Sequence, residues 1–119
     1  LSRDLIVVVE SEDTVQKIQP DIGKLSAIKD VVGIAVTAKG TSCDFVSRFF
    51  APNVGVTEDP VTGSSHSSLI PFWSERLQKK QMIAKQLSPR GGTLYCENLG
   101  NRVNIGGSAV CYSKATLYI

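Results

Sequence analysis

The sequence lacks the long apolar runs that indicate a membrane-spanning helix. It also lacks the charge excess that indicates binding to nucleic acid or to a membrane surface. Its longest uninterrupted aliphatic run is residues 5–9, far short of the ~20 residues that a membrane-spanning helix needs. Lys and Arg total 13 against 11 Asp and Glu, a net charge of +2, with no run of like charges. Charge therefore gives no support to nucleic-acid or membrane-surface binding. The remaining composition, 42% hydrophobic in 119 residues, is that of one globular domain.

Cysteine and histidine are also scarce. Cys43, Cys96 and Cys111 are odd in number and form no C-x-x-C pair, and His66 is the single histidine. A secreted disulfide framework usually has an even number of closely spaced cysteines, and a structural zinc site needs about four soft ligands. We therefore expect three small buried residues in a reducing cytoplasm and no metal site. No Walker loop, dinucleotide fingerprint or HExxH motif indicates a nucleotide or metal enzyme.

Hydrophobic patterning predicts a sheet-rich α+β domain. Aliphatic or alternating runs bounded by Gly and Pro predict strands, and Ser11 and Asp21 are expected to cap two short helices. From residue 63 to about residue 80 the pattern turns helical and few positions are polar, so we expect a long buried helix enclosed by a curved sheet. The predicted strands are residues 5–10, 31–37, 44–51, 82–88, 93–98, 102–105 and 109–118.

The start of this helix is the segment whose residues indicate a binding or catalytic site. Pro60 disfavours helical geometry at Asp59, so Asp59 is expected to lie extended just outside the helix. Thr62 is expected to be the N-cap of the helix. The next residues would then expose their backbone N–H groups with little side-chain bulk in front of them, and they are Gly63, Ser64 and Ser65. Such a helix start binds anions, and Asp59 beside it could transfer a proton to or from a carboxylate-bearing substrate. The alternative is that Asp59 and Thr62 only cap the helix and that the serines only permit close packing.

Two further motifs have competing interpretations. Ser64 or Ser65 with His66 resembles a hydrolase pair, but residues one or two apart on a helix point in different directions, so we expect no catalytic role for His66. Arg90-Gly91-Gly92 is either a plain hairpin connection or a lining of the substrate cleft, and the sequence leaves both open.

Four segments together are similar to one known family. They are D-F-V-S-R-F-F-A-P at 44–52, G-V-T-E-D-P-V-T-G-S at 55–64, L-S-P-R-G-G at 87–92, and the opening R-D-L-I-V-V-V-E at 3–10. The chain resembles the phenazine-biosynthesis isomerase-like (PhzF-like) family over essentially its whole length, but only the C-terminal half of a family member. Because it also does not begin with Met, we expect a processed or truncated piece.

The resemblance implies a diaminopimelate-epimerase-like fold, in which each half wraps a curved, mostly antiparallel sheet or barrel around one central helix. Residues 1–119 would form one such half as a single domain. The active site would lie between the halves and include two catalytic residues of this chain, Asp59 opposite an acid from the N-terminal half and Ser64 near the substrate. The remaining expected substrate-binding residues are Glu58, Thr62, Gly63, Ser65, Arg90, Gly91 and Gly92.

The implied chemistry is isomerisation or epimerisation of a small carboxylate-bearing metabolite by proton transfer, with no cofactor. Because the half that supplies the other acid is absent, we expect this chain to be inactive alone. Its expected partners are the N-terminal half and the small carboxylate, and the resemblance also allows a homodimer. The alternative is a non-catalytic ligand-binding or protein-interaction module of the same fold.

Overall fold

The computed structural model describes residues 4–119, so Arg3 of the opening motif lies outside the described residues. Within that range the chain forms one seven-stranded sheet and three α-helices. The strands are β1 (Asp4–Val8), β2 (Gly33–Lys39), β3 (Phe45–Ala51), β4 (Val56–Asp59), β5 (Gln81–Gln86), β6 (Gly92–Asn98) and β7 (Val103–Gly106). The helices are α1 (Glu12–Lys17), α2 (Ile22–Ala27) and α3 (Gly63–Leu77).

The sheet runs in the order β1-β2-β3-β5-β6-β7, with β4 paired to β3 beside this path. The β2/β3, β3/β4, β5/β6 and β6/β7 pairs are antiparallel, and β1/β2 and β3/β5 are parallel. Antiparallel pairing therefore predominates, as expected. The parallel β3/β5 pair requires a crossover, and α3 lies within that connection.

Strands β2 and β3 are covered on both faces. Phe45 and Phe49 of β3 belong to a core that includes residues of α3, whereas Val46 and Phe50 pack in a second core with Val15 of α1. Because side chains alternate across a strand, burial of both faces explains why these strands are apolar without interruption. The result is three layers, with α1 and α2 on one face of the sheet and α3 on the other.

Helix α3 ends at Leu77, three residues before the expected end. Gln78 adopts left-handed backbone geometry with φ 53°, and its N–H donates to the carbonyl of Ser74, which closes the helix. One side of α3 is buried against the sheet, whereas the opposite side is exposed and includes Ser67, Ser68, Glu75 and Arg76. The structure thus contains the expected long helix, but enclosure of that helix by the sheet is not confirmed.

The cysteine expectation holds in part. Cys96 is buried, and burial raises the pKa of its thiol to about 11. Cys43 is half-buried and Cys111 is exposed, so the prediction of three buried cysteines is wrong for Cys111. Among the helices between residues 4 and 119, none has the length and apolarity needed to cross a membrane.

The predicted strand at 109–118 is not present. Residues 107–119, here called the C-terminal arm, form no regular secondary structure and are exposed throughout. The arm carries strand-forming residues, including Val110 at 93% and Tyr112 at 99% exposure. A strand exists only when a neighbouring strand accepts and donates its backbone hydrogen bonds, and no described segment of this chain pairs with the arm.

Trp73 tests the packing of α3 on the sheet. Its ring is stacked on Phe45 with centroids 5.9 Å apart, and its Nε1–H donates to the Thr37 hydroxyl over 3.0 Å. We expect Trp73→Ala to lower the free energy of unfolding by about 3–5 kcal/mol in denaturant titrations, because a large cavity remains and the Thr37 hydroxyl loses the one hydrogen bond that it accepts from Trp73. Leu99→Ala, at a residue 51% exposed, is the control and should cost less than about 0.5 kcal/mol. Equal losses in both variants would show that α3 is peripheral.

Deletion of residues 108–119 tests the independence of the arm. Because these side chains are exposed, their removal should change the free energy of unfolding by no more than about 0.5 kcal/mol. Denaturant melting of the shortened and complete chains measures the difference. A loss above about 2 kcal/mol, comparable to removing a core side chain, would show that the arm packs on the body of the domain.

Candidate active site at the start of helix α3

Strand β4 separates the two acids of the E-D-P motif. Asp59 pairs in register with Phe49, whose ring lies on the α3 side of the sheet. Side chains alternate along a strand, so Glu58 points to the opposite side, toward α1. The two adjacent carboxylates therefore occupy different environments.

Glu58 is paired with Arg48 of β3. The guanidinium binds both carboxylate oxygens, Nε to Oε1 at 2.7 Å and Nη2 to Oε2 at 2.9 Å, and Nη1 also donates to the carbonyl of Ile18. The Glu58 carboxylate raises the pKa of Arg48 further above its ordinary value. This largely buried pair joins β3 and β4 to the end of α1. The structure thus places Glu58, expected to bind substrate, on the face of β4 opposite Asp59 and in an ion pair.

Asp59 is held by Thr62. The Thr62 hydroxyl donates to Asp59 Oδ2 over 2.6 Å, and within residues 4–119 no hydrogen bond to Oδ1 is present. Thr62 occupies the N-cap position of α3 as predicted, yet its side chain makes no capping hydrogen bond to the helix. A threonine at this position normally accepts a first-turn N–H. Here the hydroxyl is directed to Asp59 instead, which leaves the first-turn N–H groups without this acceptor.

The residues after Thr62 divide between the interior and the open space in front of the helix. Gly63 and Ser64 are exposed, and a Cβ built on Gly63 would meet nothing within 4 Å. Ser65 is buried, and its hydroxyl donates to the carbonyl of Thr62 over 3.1 Å. Of the two serine hydroxyls expected to face substrate, the structure thus exposes Ser64 and turns Ser65 toward its own helix.

Gln86 is a site residue that sequence reasoning missed. It is the last residue of β5, it is 1% exposed, and its amide accepts from the N–H of Thr62 at 2.9 Å. The same amide donates to the carbonyl of Asp59 at 2.7 Å and to the hydroxyl of Thr62 at 3.0 Å. The available signal was periodicity, because Gln86 follows Met82 and Ala84 on the buried face of the strand. A buried polar side chain at such a position needs polar partners.

The R-G-G segment is a hairpin connection that also contacts the D-P-V-T loop. It joins β5 to β6, and Gly91 has a positive φ of 67° that favours glycine. A Cβ on Gly92 would lie 2.4 Å from Cγ2 of Val61, so only glycine permits this approach. Ser88 donates from its hydroxyl to the carbonyl of Pro60 over 2.7 Å. The hairpin interpretation is therefore confirmed, and the lining of a substrate cleft by this segment stays a prediction.

A groove runs along this connection. It has a volume of about 400 Å³, and its lining includes Gln86, Arg90, Gly91 and Gly92. Arg90 is exposed, so its guanidinium is accessible to an anion. A larger cavity of about 670 Å³ lies elsewhere, against β5, β6 and β7, and its lining contains none of the predicted site residues.

His66 is fully buried beneath the start of α3. Its Nδ1 lies 2.7 Å from the carbonyl of Thr62, so this nitrogen carries the proton and donates. The Ser65 hydroxyl lies 3.5 Å from the same nitrogen, which therefore has no lone pair available to accept a proton from it. This geometry does not support the Ser-His hydrolase reading. No group of His, Cys, Asp and Glu among residues 4–119 could hold a metal ion.

The comparisons with known proteins agree with this description. The family model for phenazine biosynthesis-like proteins, PhzC-PhzF, matches residues 2–115. A protein named as an uncharacterized isomerase of Pseudomonas aeruginosa is 53% identical over 113 residues, which cover 95% of this chain and 43% of that protein. A human phenazine biosynthesis-like domain-containing protein is 47% identical over 94 residues, covering 73% of this chain and 33% of that protein.

A solved structure of a phenazine biosynthesis protein is also similar to this chain. The crystal structure of a phenazine biosynthesis protein of the PhzF family from Enterococcus faecalis superposes with a TM-score of 0.90 at 50% identity, covering 100% of this chain and 46% of that chain. These findings define a mixed α/β, isomerase-like domain. The chain belongs to the phenazine biosynthesis-like (PhzC-PhzF) family, which confirms the resemblance seen in its motifs. It spans less than half the length of these relatives.

His66 predicts a specific pH dependence of stability. Burial lowers the pKa of this imidazole below its ordinary 6.5, and the hydrogen bond to Thr62 opposes the shift only in part. The unfolded chain therefore takes up a proton near pH 6.5 that the folded chain does not bind. Stability is complete above this value and falls as the pH decreases below it. Unfolding free energies measured at about pH 7.5 and 5.5 should show this loss.

The variant His66→Asn provides the matched comparison, because it removes the only histidine. Its loss of stability over the same interval should be smaller than that of the unmodified chain. The carboxyls whose pKa is lowered, among them Glu12 and Asp44, titrate at or below their ordinary values of 4.5 and 3.8 and contribute little in this window. An equal loss in both proteins would contradict the assignment.

Proposed function

We propose that this chain is the C-terminal half of a cofactor-independent isomerase or epimerase that moves a proton on a small carboxylate-bearing metabolite. Asp59 is the acid–base group contributed by this half. The observation that carries the proposal is the position of Asp59, held by Thr62 beside an uncapped helix start. Family membership and the names of the relatives as isomerases support the reaction class.

The geometry suits proton removal next to a carboxylate. One oxygen of Asp59 is bound by Thr62, which orients the carboxyl group and leaves the other oxygen to accept a proton. Negative charge that develops on the substrate is stabilised by backbone N–H groups at a helix N-terminus. In this proposal the N–H groups of Gly63, Ser64 and Ser65 hold the carboxylate, with the exposed Ser64 hydroxyl as an additional donor.

The R-G-G hairpin completes one wall of the proposed substrate site. Gly92 lies against Val61 of the loop before α3, and Arg90 is exposed on the same connection. A guanidinium there matches a second anionic group of the substrate. Thr62 acts through Asp59 in this scheme, and Glu58 supports β4 through its ion pair with Arg48 instead of touching substrate.

A second acid must come from outside these residues. A reaction that removes a proton from one face of the substrate and returns it on the opposite face uses two groups, and Asp59 serves only one side. The chain spans between 33% and 46% of the three relatives compared above, so we assign the second acid to an N-terminal half. The exposed apolar side chains of the C-terminal arm are consistent with a surface that another half, or a second copy, would cover. We place the assembled protein in the cytoplasm.

Asp59→Asn tests the catalytic assignment in the chain recombined with its N-terminal half. The assay is solvent-deuterium exchange into a panel of small α-substituted carboxylates, followed by proton NMR in D₂O. We expect the substitution to reduce exchange by roughly 10²–10⁴-fold, because the amide cannot accept the proton. Asp13→Asn is the control, since Asp13 is exposed and its ion pair within residues 4–119 is with Lys17 on α1, and it should leave exchange unchanged.

The 119-residue chain alone should catalyse no exchange. Exchange by this chain alone, or full activity of the recombined Asp59→Asn protein, would contradict the proposal. Tight carboxylate binding with no exchange by the recombined unmodified protein would instead identify a ligand-binding module.

A further inference from the structure

We propose that Gln86 is the positioning residue that turns the Thr62 hydroxyl onto Asp59 and thereby keeps the start of α3 open. The inference rests on the function proposed above, because it assigns the control of that same site. The Gln86 side chain is 1% exposed, and its hydrogen bonds within the described residues go to Asp59 and Thr62.

The orientation of the Gln86 amide follows from the chemistry of its partners. The N–H of Thr62 can only donate, so the group 2.9 Å from it must be the amide oxygen. The nitrogen then faces the carbonyl of Asp59 and the hydroxyl of Thr62, and each receives one of its two protons. A flipped amide would place two donors against each other at Thr62.

This orientation decides the direction of the Thr62 hydroxyl. Its oxygen accepts a hydrogen bond from the Gln86 amide at 3.0 Å, and its own O–H donates to Oδ2 of Asp59 at 2.6 Å. The chain of donors therefore runs from Gln86 through Thr62 to the carboxylate. Asp59 receives a hydrogen bond on one oxygen, which leaves its other oxygen as the one that exchanges a proton with substrate.

The same hydroxyl has a second possible partner, the helix. Threonine at an N-cap position usually accepts an N–H of the first turn, and this is a common stabilising interaction. Thr62 does not do so. If the amide of Gln86 is removed, the Thr62 oxygen loses its donor and can rotate to cap α3. The helix N–H groups would then be occupied from within the chain, and Asp59 would lose its donor.

Gln86→Met tests this in the 119-residue chain, since methionine has a similar length and forms no strong hydrogen bond. The probe is inorganic sulfate, titrated while the backbone amides of Gly63 and Ser64 are followed by NMR. We expect the sulfate affinity to fall by at least about fivefold, the order that one capping interaction is worth. The χ1 couplings of Thr62 should change at the same time. Gln81→Met is the control, because Gln81 lies exposed on the same strand and bonds only Glu97.

A double-mutant cycle separates this role from general support of the fold. In a Thr62→Val background there is no hydroxyl to rotate, so Gln86→Met should no longer weaken sulfate binding. An equal loss in both backgrounds, or an unchanged Thr62 rotamer in Gln86→Met, would overturn the role of Gln86. Failure of the unmodified chain to bind sulfate would count against the proposed anion site, while the Thr62 rotamer would still decide the role of Gln86.

The unmodified chain supplies a measurement that does not depend on the variant folding. Thr62 should populate one χ1 rotamer, and the two side-chain amide protons of Gln86 should exchange with solvent far more slowly than those of exposed Gln81. Rotamer averaging at Thr62, or equal exchange at the two glutamines, would overturn the proposal.

Discussion

The Gln86 amide joins three parts of the molecule at one point. It lies at the end of β5 and binds both the last residue of β4 and the residue that begins α3. Because the amide is buried, each of these polar groups would be costly to leave unpaired. The position of the candidate site therefore depends on the parallel pairing of β3 with β5, which brings Gln86 beside β4.

The surrounding contacts support this arrangement from both faces of the sheet. On one face, the Arg48–Glu58 pair ties β3 and β4 to the end of α1. On the other, Trp73 and Phe45 stack between α3 and β3. The hairpin after β5 approaches the loop before α3 so closely that Gly92 admits no side chain. The end of β4, which carries Asp59, is thus set between rigid elements, as the accurate placement of the proposed substrate requires.

The described residues form one side of the candidate site. Asp59 is half-buried, Gly63 and Ser64 at the helix start are exposed, and the chain corresponds to less than half the length of its relatives. The proposed site between two halves would explain why the chain also carries an arm of exposed Val, Leu and Tyr side chains. It also explains why the helix start is not capped, since a cap would occupy the donors that the proposed substrate needs.

Local sequence determined most of the secondary structure and the outline of the site. Alternation and turn residues placed β2, β3, β5, β6 and β7 to within about two residues, and the E-D-P-V-T-G-S motif located Asp59 and the start of α3. These features depend on neighbours in the chain, so the sequence contains them. The arm at residues 107–119 shows the limit, because a strand-forming sequence forms no strand without a partner.

Only the tertiary structure decided how the site residues are used. Alternation along β4 sends Glu58 to Arg48 and Asp59 to the α3 side, and the Thr62 hydroxyl accepts a hydrogen bond from a residue 24 positions away. Periodicity along β5 indicated that Gln86 is buried, but its partners lie 24 and 27 positions away and leave no local pattern. The Ser65 hydroxyl bonds the carbonyl of Thr62 three positions away, and only the packing of α3 decides that this serine is buried. Motifs and periodicity specify which elements form, whereas the partner of each polar side chain is set by the packing of those elements.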